Sequence, residues 1–191
     1  DLGFVRAGIK YAGESYAKGD YDNEVRYYGC FSFVLFIFIL IVSAIFILFS
    51  YYPSLLIKDI SGSESISVAS RLLFIQAIFS YNIVLQRFVT GVFDVRIEQY
   101  VFQRINIIAS IIKLTSVLFF FGNGKYDIVG YFLFLKIIDL VTLIVGLAII
   151  NSKYEFSLIK YLKAFKFDKA IFFKTKGLAF SSIFVTFMWI L

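Results

Sequence analysis

Six of the ionisable side chains in or beside long apolar runs are candidates for chemistry, Arg6, Lys10 and Glu14 near the start and Lys113, Lys136 and Asp139 further along, whereas Arg71 is placed to snorkel to the outer headgroups. A charge at membrane depth is costly unless it faces a bundle interior or a watery cavity, and charges so placed mark substrate and ion pathways. The four bases suit an anionic cargo, because a phosphate entering an apolar cavity needs counter-charge and charge-assisted hydrogen bonds there. At helical spacing Gly3, Arg6, Lys10, Gly13 and Glu14 share one side of a helix, while Phe4, Ile9 and Tyr16 point elsewhere. The stripe of small and charged residues is expected to face inward. The plainer alternative is that Lys10 and Glu14 pair at i, i+4 near the surface while Arg6 snorkels.

Lys113 lies at the middle of the run Ile105–Phe121, and Asp139 at the middle of Ile128–Ile150. The turn Gly122–Asp127 between them is short, so the two helices should be antiparallel neighbours with these side chains at similar depth. An unpaired charge there costs roughly 2.5 to 3.5 kcal/mol. A pair across the hairpin, direct or through water, would leave Lys136 free for cargo. Equally open is an i, i+3 pair of Lys136 with Asp139, with Lys113 facing the cavity alone.

The elements that must position these groups follow from Phe31–Tyr52, FSFVLFIFILIVSAIFILFSYY, which holds no charge, proline or glycine. As a helix it spans roughly 33 Å against a hydrocarbon core of about 30 Å. Lipid offers no partner to the backbone of a strand or loop, and the run lacks the alternation of a barrel strand. With 60% hydrophobic residues in 191 and a mean hydropathy of +0.85, there is too little polar surface to enclose such a run in water. The expected fold class is all-α, a polytopic transmembrane helix bundle.

Along the chain, Ala17–Tyr28 reads as a polar turn, and Pro53 with the stretch Lys58–Glu64 closes the first full span. Ser61 and Glu64 have capping-box spacing, which starts the next helix near Gly62. Ser65–Gln86 follows as a span, Arg87–Arg104 as a short turn, then Ile105–Phe121 and Ile128–Ile150 as a membrane hairpin. Asn151–Lys176 holds seven lysines, among which Phe156, Ile159, Leu162 and Phe165 recur every three residues. That pattern predicts an amphipathic helix lying on membrane lipids at an anionic leaflet. Gly177–Leu191 begins another span. The organisation expected is therefore residues 1–150 as a helical lobe, 151–176 as a basic linker and 177–191 as the start of a second lobe.

One set of loops, Ala17–Tyr28, Arg87–Arg104 and Asn151–Lys176, holds twelve Lys and Arg; the other holds only Lys58 and Lys125. The basic set is expected in the cytoplasm. This arrangement accounts for the net charge of +6 and the pI of about 9.3 without a nucleic-acid partner. Cys30 is the sole cysteine and there is no histidine, which excludes an internal disulfide, the usual zinc sites and Ser-His or Cys-His catalysis within these residues. No metal site, no cofactor and no enzymatic activity are expected. Asp1 and Leu191 do not look like natural termini, and the chain reads as an internal piece of a longer membrane protein.

The word DLG, the base at Lys10 and the AKGDY of Ala17–Tyr21 resemble the second helix and following loop of Wzx-type O-antigen flippases. These are polysaccharide-biosynthesis membrane proteins of the MOP exporter superfamily, relatives of the MATE transporters. The resemblance extends as a pattern of tight outer turns and a long basic linker before LAFSSIFVTF. On that template the chain covers helices two to six of a MATE-like lobe, the interlobe linker and the start of helix seven. The resemblance implies alternating access in the bacterial plasma membrane and a multi-pass topology. The implied cargo is an undecaprenyl-pyrophosphate-linked oligosaccharide for O-antigen, capsule or exopolysaccharide synthesis. It further implies that cavity cations, here Arg6, Lys10, Lys113 and Lys136, receive pyrophosphate and sugar acids, with no bond made or broken. Asp139 and Glu14 are left for ion pairing or for coupling to protons or sodium. Other polysaccharide assembly proteins are the further partners it admits. Arg6 departs from the small polar residue common at its position, which puts its role in doubt.

Two other classes compete. A drug or organic-cation antiporter of the same superfamily would favour intramembrane carboxylates, of which only Glu14 and Asp139 are present. A membrane polysaccharide polymerase should show a large arginine-bearing outer loop, and an acyltransferase a membrane histidine; these residues hold neither.

Overall fold

The computed structural model describes residues 3–57, 62–122, 126–154 and 156–177. Among them the chain is all-α: α1 (Phe4–Ala17), α2 (Tyr21–Tyr51), a 3-10 turn at Pro53–Leu55, α3 (Ser63–Phe79), α4 (Asn82–Val95), α5 (Gln99–Phe121), α6 (Ile128–Lys153) and α7 (Leu158–Ala164). Residues 169–177 are helical as well. Three helices, α2, α5 and α6, are long and apolar enough to cross a membrane, and α3 with α4 would make a fourth span, bent by 41°.

The first boundary differs from the expected polar turn. Only Lys18–Asp20 interrupts the chain between α1 and α2, because the polar residues there close one helix and open the next. Gly19, at φ 73°, takes the left-handed conformation that a β-carbon disfavours. Its N–H reaches the Tyr16 carbonyl and that of Asp20 the Ser15 carbonyl, a Schellman closure of α1. Asp20 then caps α2, its carboxylate accepting from the Asn23 backbone N–H at 3.2 Å and side-chain amide at 2.7 Å. Asp22 and Glu24 follow in the first turn, where negative charge suits a helix N-terminus. At 31 residues α2 is about 46 Å long, which exceeds a hydrocarbon core of about 30 Å. Its apolar part begins at Phe31, so residues 21–30 form a polar stem.

The expected span Ser65–Gln86 is two helices. The Ser80 hydroxyl donates to the Ala77 carbonyl at 2.7 Å, and Ser43 donates to the same oxygen at 2.9 Å. The Ser80 backbone N–H reaches the same carbonyl at 3.4 Å, and α3 ends where these donors converge. Gly62 starts α3 without a side-chain cap; Ser61, the proposed capping residue, lies outside the described residues. The turn expected at Arg87–Arg104 is also shorter: α4 runs to Val95, α5 begins at Gln99, and Ile97 between them sits at φ 57°. Of the hairpin turn, residues 123–125 lie outside the described residues; Asp127 caps α6 by accepting the Gly130 N–H at 2.8 Å.

The chain divides into two compact units. The first comprises Asp1–Ile37, Val84–Phe102 and Gly146–Leu191, and the second Phe38–Ile83 and Gln103–Val145. The first has an aromatic core. Tyr28, Phe31, Phe88, Phe93 and Phe156 are buried, and the Phe88 ring stacks on Tyr161 at 4.0 Å. Phenylalanine is thus used here for internal packing rather than only as lipid-facing bulk. In the second unit Ile41, Leu48, Ile108, Ile112 and Phe119 are exposed, as the wall of a lipid-embedded bundle requires.

The basic linker splits its three-residue repeat. Phe156 is buried and Phe165 packs on Phe33 and Phe36, each at 5.7 Å, whereas Ile159 and Leu162 are exposed. The helix covers only Leu158–Ala164 and closes against α2 at Gly29, where a β-carbon would lie 2.2 Å from the Ala164 carbonyl oxygen. Gly29 is therefore what lets the linker backbone reach the stem. Gly177 ends the described residues, so the expected following span is not among them.

Candidate functional site

The six sequence candidates fall into two sets, one in each unit. In the first unit, α1 buries Val5, Ala7, Gly8 and Ala12 and leaves Arg6, Lys10 and Glu14 exposed. The charged members of the stripe expected to face inward thus stand on an accessible side of α1, while its Gly3 is buried and its Gly13 half-buried. A helix this closely packed has room for alanine and glycine against its neighbours but none for a charged side chain. Lys10 and Glu14 form the i, i+4 pair at 3.8 Å, with about half of each side chain exposed (54% and 47%). Such a pair contributes little to stability and leaves the ammonium free to exchange partners.

In the second unit the hairpin brings Lys113 and Asp139 together. The Lys113 ammonium donates to the Asp139 carboxylate across α5 and α6, the first of the two arrangements the sequence left open. The pair is half-buried, with side-chain exposures of 28% and 44%. Lys136, one turn before Asp139 on α6, lies instead over the Phe132 ring at 5.0 Å. Cation–π contact keeps its charge while leaving the ammonium's donors unspent.

A third centre escaped the sequence reading. Arg96, just beyond α4, donates to Glu24 of the α2 stem at 2.7 and 3.4 Å, and the two side chains are 5% and 1% exposed. The guanidinium also lies over the rings of Tyr16 at 4.7 Å and Tyr154 at 5.0 Å. These groups line a cavity of about 500 Å³ with Lys153 and Lys160. Around it, Glu98 accepts from the Lys153 ammonium and from the Tyr154 hydroxyl at 2.5 Å. The Lys153 hydrogen bond, then that of Tyr154, holds the Glu98 carboxyl below its ordinary value. The Tyr154 phenol is pushed up, first by burial and then by Glu98. Arg26 to Asp168 at 2.7 Å and Lys160 to Asp22 at 2.8 Å tie the linker to the stem, and Arg26 holds the Asp168 carboxyl low.

Chemically, the first centre offers an exchangeable cation, Lys10, beside Arg6, which has no partner among the described residues, and the second a lysine neutralised by a carboxylate with a further cation one turn away. The third is a closed ionic joint. Among the described residues no cluster of His, Cys, Asp or Glu is placed to hold a metal ion. Glu24 and Arg96 were hidden because both stand in segments whose polarity reads as turn; the signal that points to them is Asp20 with Asn23, a capping sequence that begins a helix early enough to include Glu24. No family model, curated protein or solved structure matches the chain.

Proposed function

We propose that this chain is part of a bacterial plasma-membrane flippase that moves a lipid-pyrophosphate-linked oligosaccharide by alternating access, with a MATE-like lobe and its basic loops in the cytoplasm. The observation that supports this reading best is the balance of charge on accessible helix faces. Arg6, Lys10, Lys113 and Lys136 stand on exposed or half-buried positions with only Glu14 and Asp139 among them. Net positive charge suits a pyrophosphate and disfavours an organic cation. The antiporter alternative loses further weight because Asp139, its best carboxylate, is neutralised by Lys113. Ile159 and Leu162, exposed among lysines, support contact of the linker with anionic lipid.

Lys10 tests the proposal. Its side chain is half exposed and its one ion pair is long, so Lys10→Ala should leave folding unchanged within about 0.5 kcal/mol. It should nevertheless abolish most glycan export at normal membrane levels, while Lys10→Arg retains it. Normal export by Lys10→Ala would remove Lys10 from the cargo's path.

A further inference from the structure

The sequence Gln103, Asn106, Ser110, Lys113 advances by three, four and three residues, which keeps all four side chains on one face of α5. Gln103, Asn106 and Ser110 are exposed and line a shallow groove of about 470 Å³ with Ile107, Ile111 and Leu114. Phe102, Ala109 and Ser116, which follow one another along a neighbouring seam of α5, are buried. The polar face runs beside that seam and ends at the Lys113–Asp139 pair. On the opposite face Ile108, Ile112 and Phe119 are exposed and apolar, as a lipid-facing wall must be.

The Ser110 hydroxyl donates to the Asn106 carbonyl at 2.8 Å and retains its lone pairs, but neither the Gln103 nor the Asn106 side-chain amide has a hydrogen-bond partner among the described residues. An amide turned toward hydrocarbon without a partner costs free energy that no packing among the described residues on this side of α5 offsets. The face therefore needs a hydrogen-bonding occupant. Its groups are uncharged, each able to accept and two also carrying N–H donors, and the sole ammonium at its end is already neutralised. That chemistry fits neither a phosphate nor an organic cation; it fits water and vicinal hydroxyls.

We propose that the Gln103–Asn106–Ser110 face of α5 is a water-accessible wall of the transport path that hydrogen-bonds the uncharged, hydroxyl-rich part of the cargo. The hydroxyl-rich assignment rests on the function proposed above; the aqueous wall does not. Single cysteines are placed at 103, 106 and 110, and at 108, 112 and 119, in the full protein in native membranes. Any cysteine outside these residues is first replaced by serine, and Cys30, fully buried, provides the unlabelled background. A water-soluble, membrane-impermeant maleimide should label the first three several-fold faster than the second three. Equal labelling of all six, no labelling of any, or a disulfide between two copies at 106 would overturn the wall in favour of lipid, a covering segment or a second subunit. The variant Gln103→Leu with Asn106→Leu should then cut glycan export several-fold at normal membrane levels, and unchanged export would overturn the cargo contact. Periodic labelling in a protein whose parent exports no glycan would sink the proposed function and leave the wall standing.

Discussion

Arg96–Glu24 and Lys113–Asp139 are both ion pairs between helices, one in each compact unit, yet their surroundings differ in a way that separates structure from transport. The first is enclosed, doubly hydrogen-bonded and flanked by aromatic rings. The second joins two membrane helices with 28% of the Lys113 and 44% of the Asp139 side chain open. A pair this little exposed has scant access to water, so it fixes the joint between the α2 stem and the α4–α5 turn. A half-open pair can trade its partner for water or cargo. Position in the sequence draws attention to the membrane charges alone, since Glu24 and Arg96 stand in segments that read as turns.

The comparison breaks most readily at the enclosed pair. Arg96→Leu leaves Glu24 buried without its counter-charge and should cost about 3–5 kcal/mol, seen as a large fall in the thermal unfolding midpoint of the purified protein. Arg96→Leu with Glu24→Leu should recover most of the loss, because two apolar side chains of similar reach leave no orphaned charge. A double variant as unstable as the single one would mean that the rings around Arg96, not the pair, hold the joint.

The half-open pair should respond in function more than in stability. Lys113→Asp or Asp139→Lys should each cost roughly 1–2 kcal/mol, less than the 2.5–3.5 of a charge fully in lipid. Each should also strongly reduce export. The exchange Lys113→Asp with Asp139→Lys should restore part of both readouts. Absence of any recovery would show that the position of each charge matters individually and would dissolve the contrast with Arg96–Glu24.

The apolar runs made the membrane helices legible, because a stretch such as Phe31–Tyr52 has no other stable environment. The Lys113–Asp139 pairing was legible for a related reason: a short turn fixes the depth of two antiparallel helices, leaving only their rotation open. Helix starts were not legible where capping residues mimic loops. Asp20, Asp22 and Asn23 begin α2 rather than interrupting it. Setting the start of α5 at Ile105 instead of Gln99 also cut Gln103 away from Asn106 and Ser110, which hid the polar face. On α1 the charged residues of the stripe are accessible, and the tight packing also takes Ala7, Gly8 and Ala12, which a reading of the charges alone does not single out.

Ile97 sharpens the contrast by a smaller amount, since the turn that carries Arg96 is itself strained. Ile97 closes α4 in the left-handed region, a conformation that costs a β-branched residue about 1–2 kcal/mol, and its side chain is 88% exposed. Ile97→Gly removes that strain but adds freedom to the unfolded chain of about 0.5–1 kcal/mol. The net gain should be about 0.5–1 kcal/mol in denaturation experiments. A loss would mean that the Ile97 side chain is held by lipid or another surface, and that the joint depends on contacts beyond Arg96.

The smallest effect concerns acid, and it distinguishes the enclosed pair from the solvent-facing pairs beside it. Glu98 is held below its ordinary value by hydrogen bonds from Lys153 and Tyr154, so its folded form binds a proton less readily than its unfolded form. The stability it contributes is fully present above the unfolded carboxyl value of about 4.3 and is lost as pH falls through the lower folded value. Asp168, lowered chiefly by Arg26, acts in the same direction. Glu98→Gln should therefore lower the melting temperature slightly at neutral pH and flatten its decline below about pH 4.3, bringing variant and parent together in acid. Curves that stay parallel down to acid pH would show that Lys153 and Tyr154 do not favour the charged carboxylate, leaving Arg96–Glu24 as the joint's working ion pair.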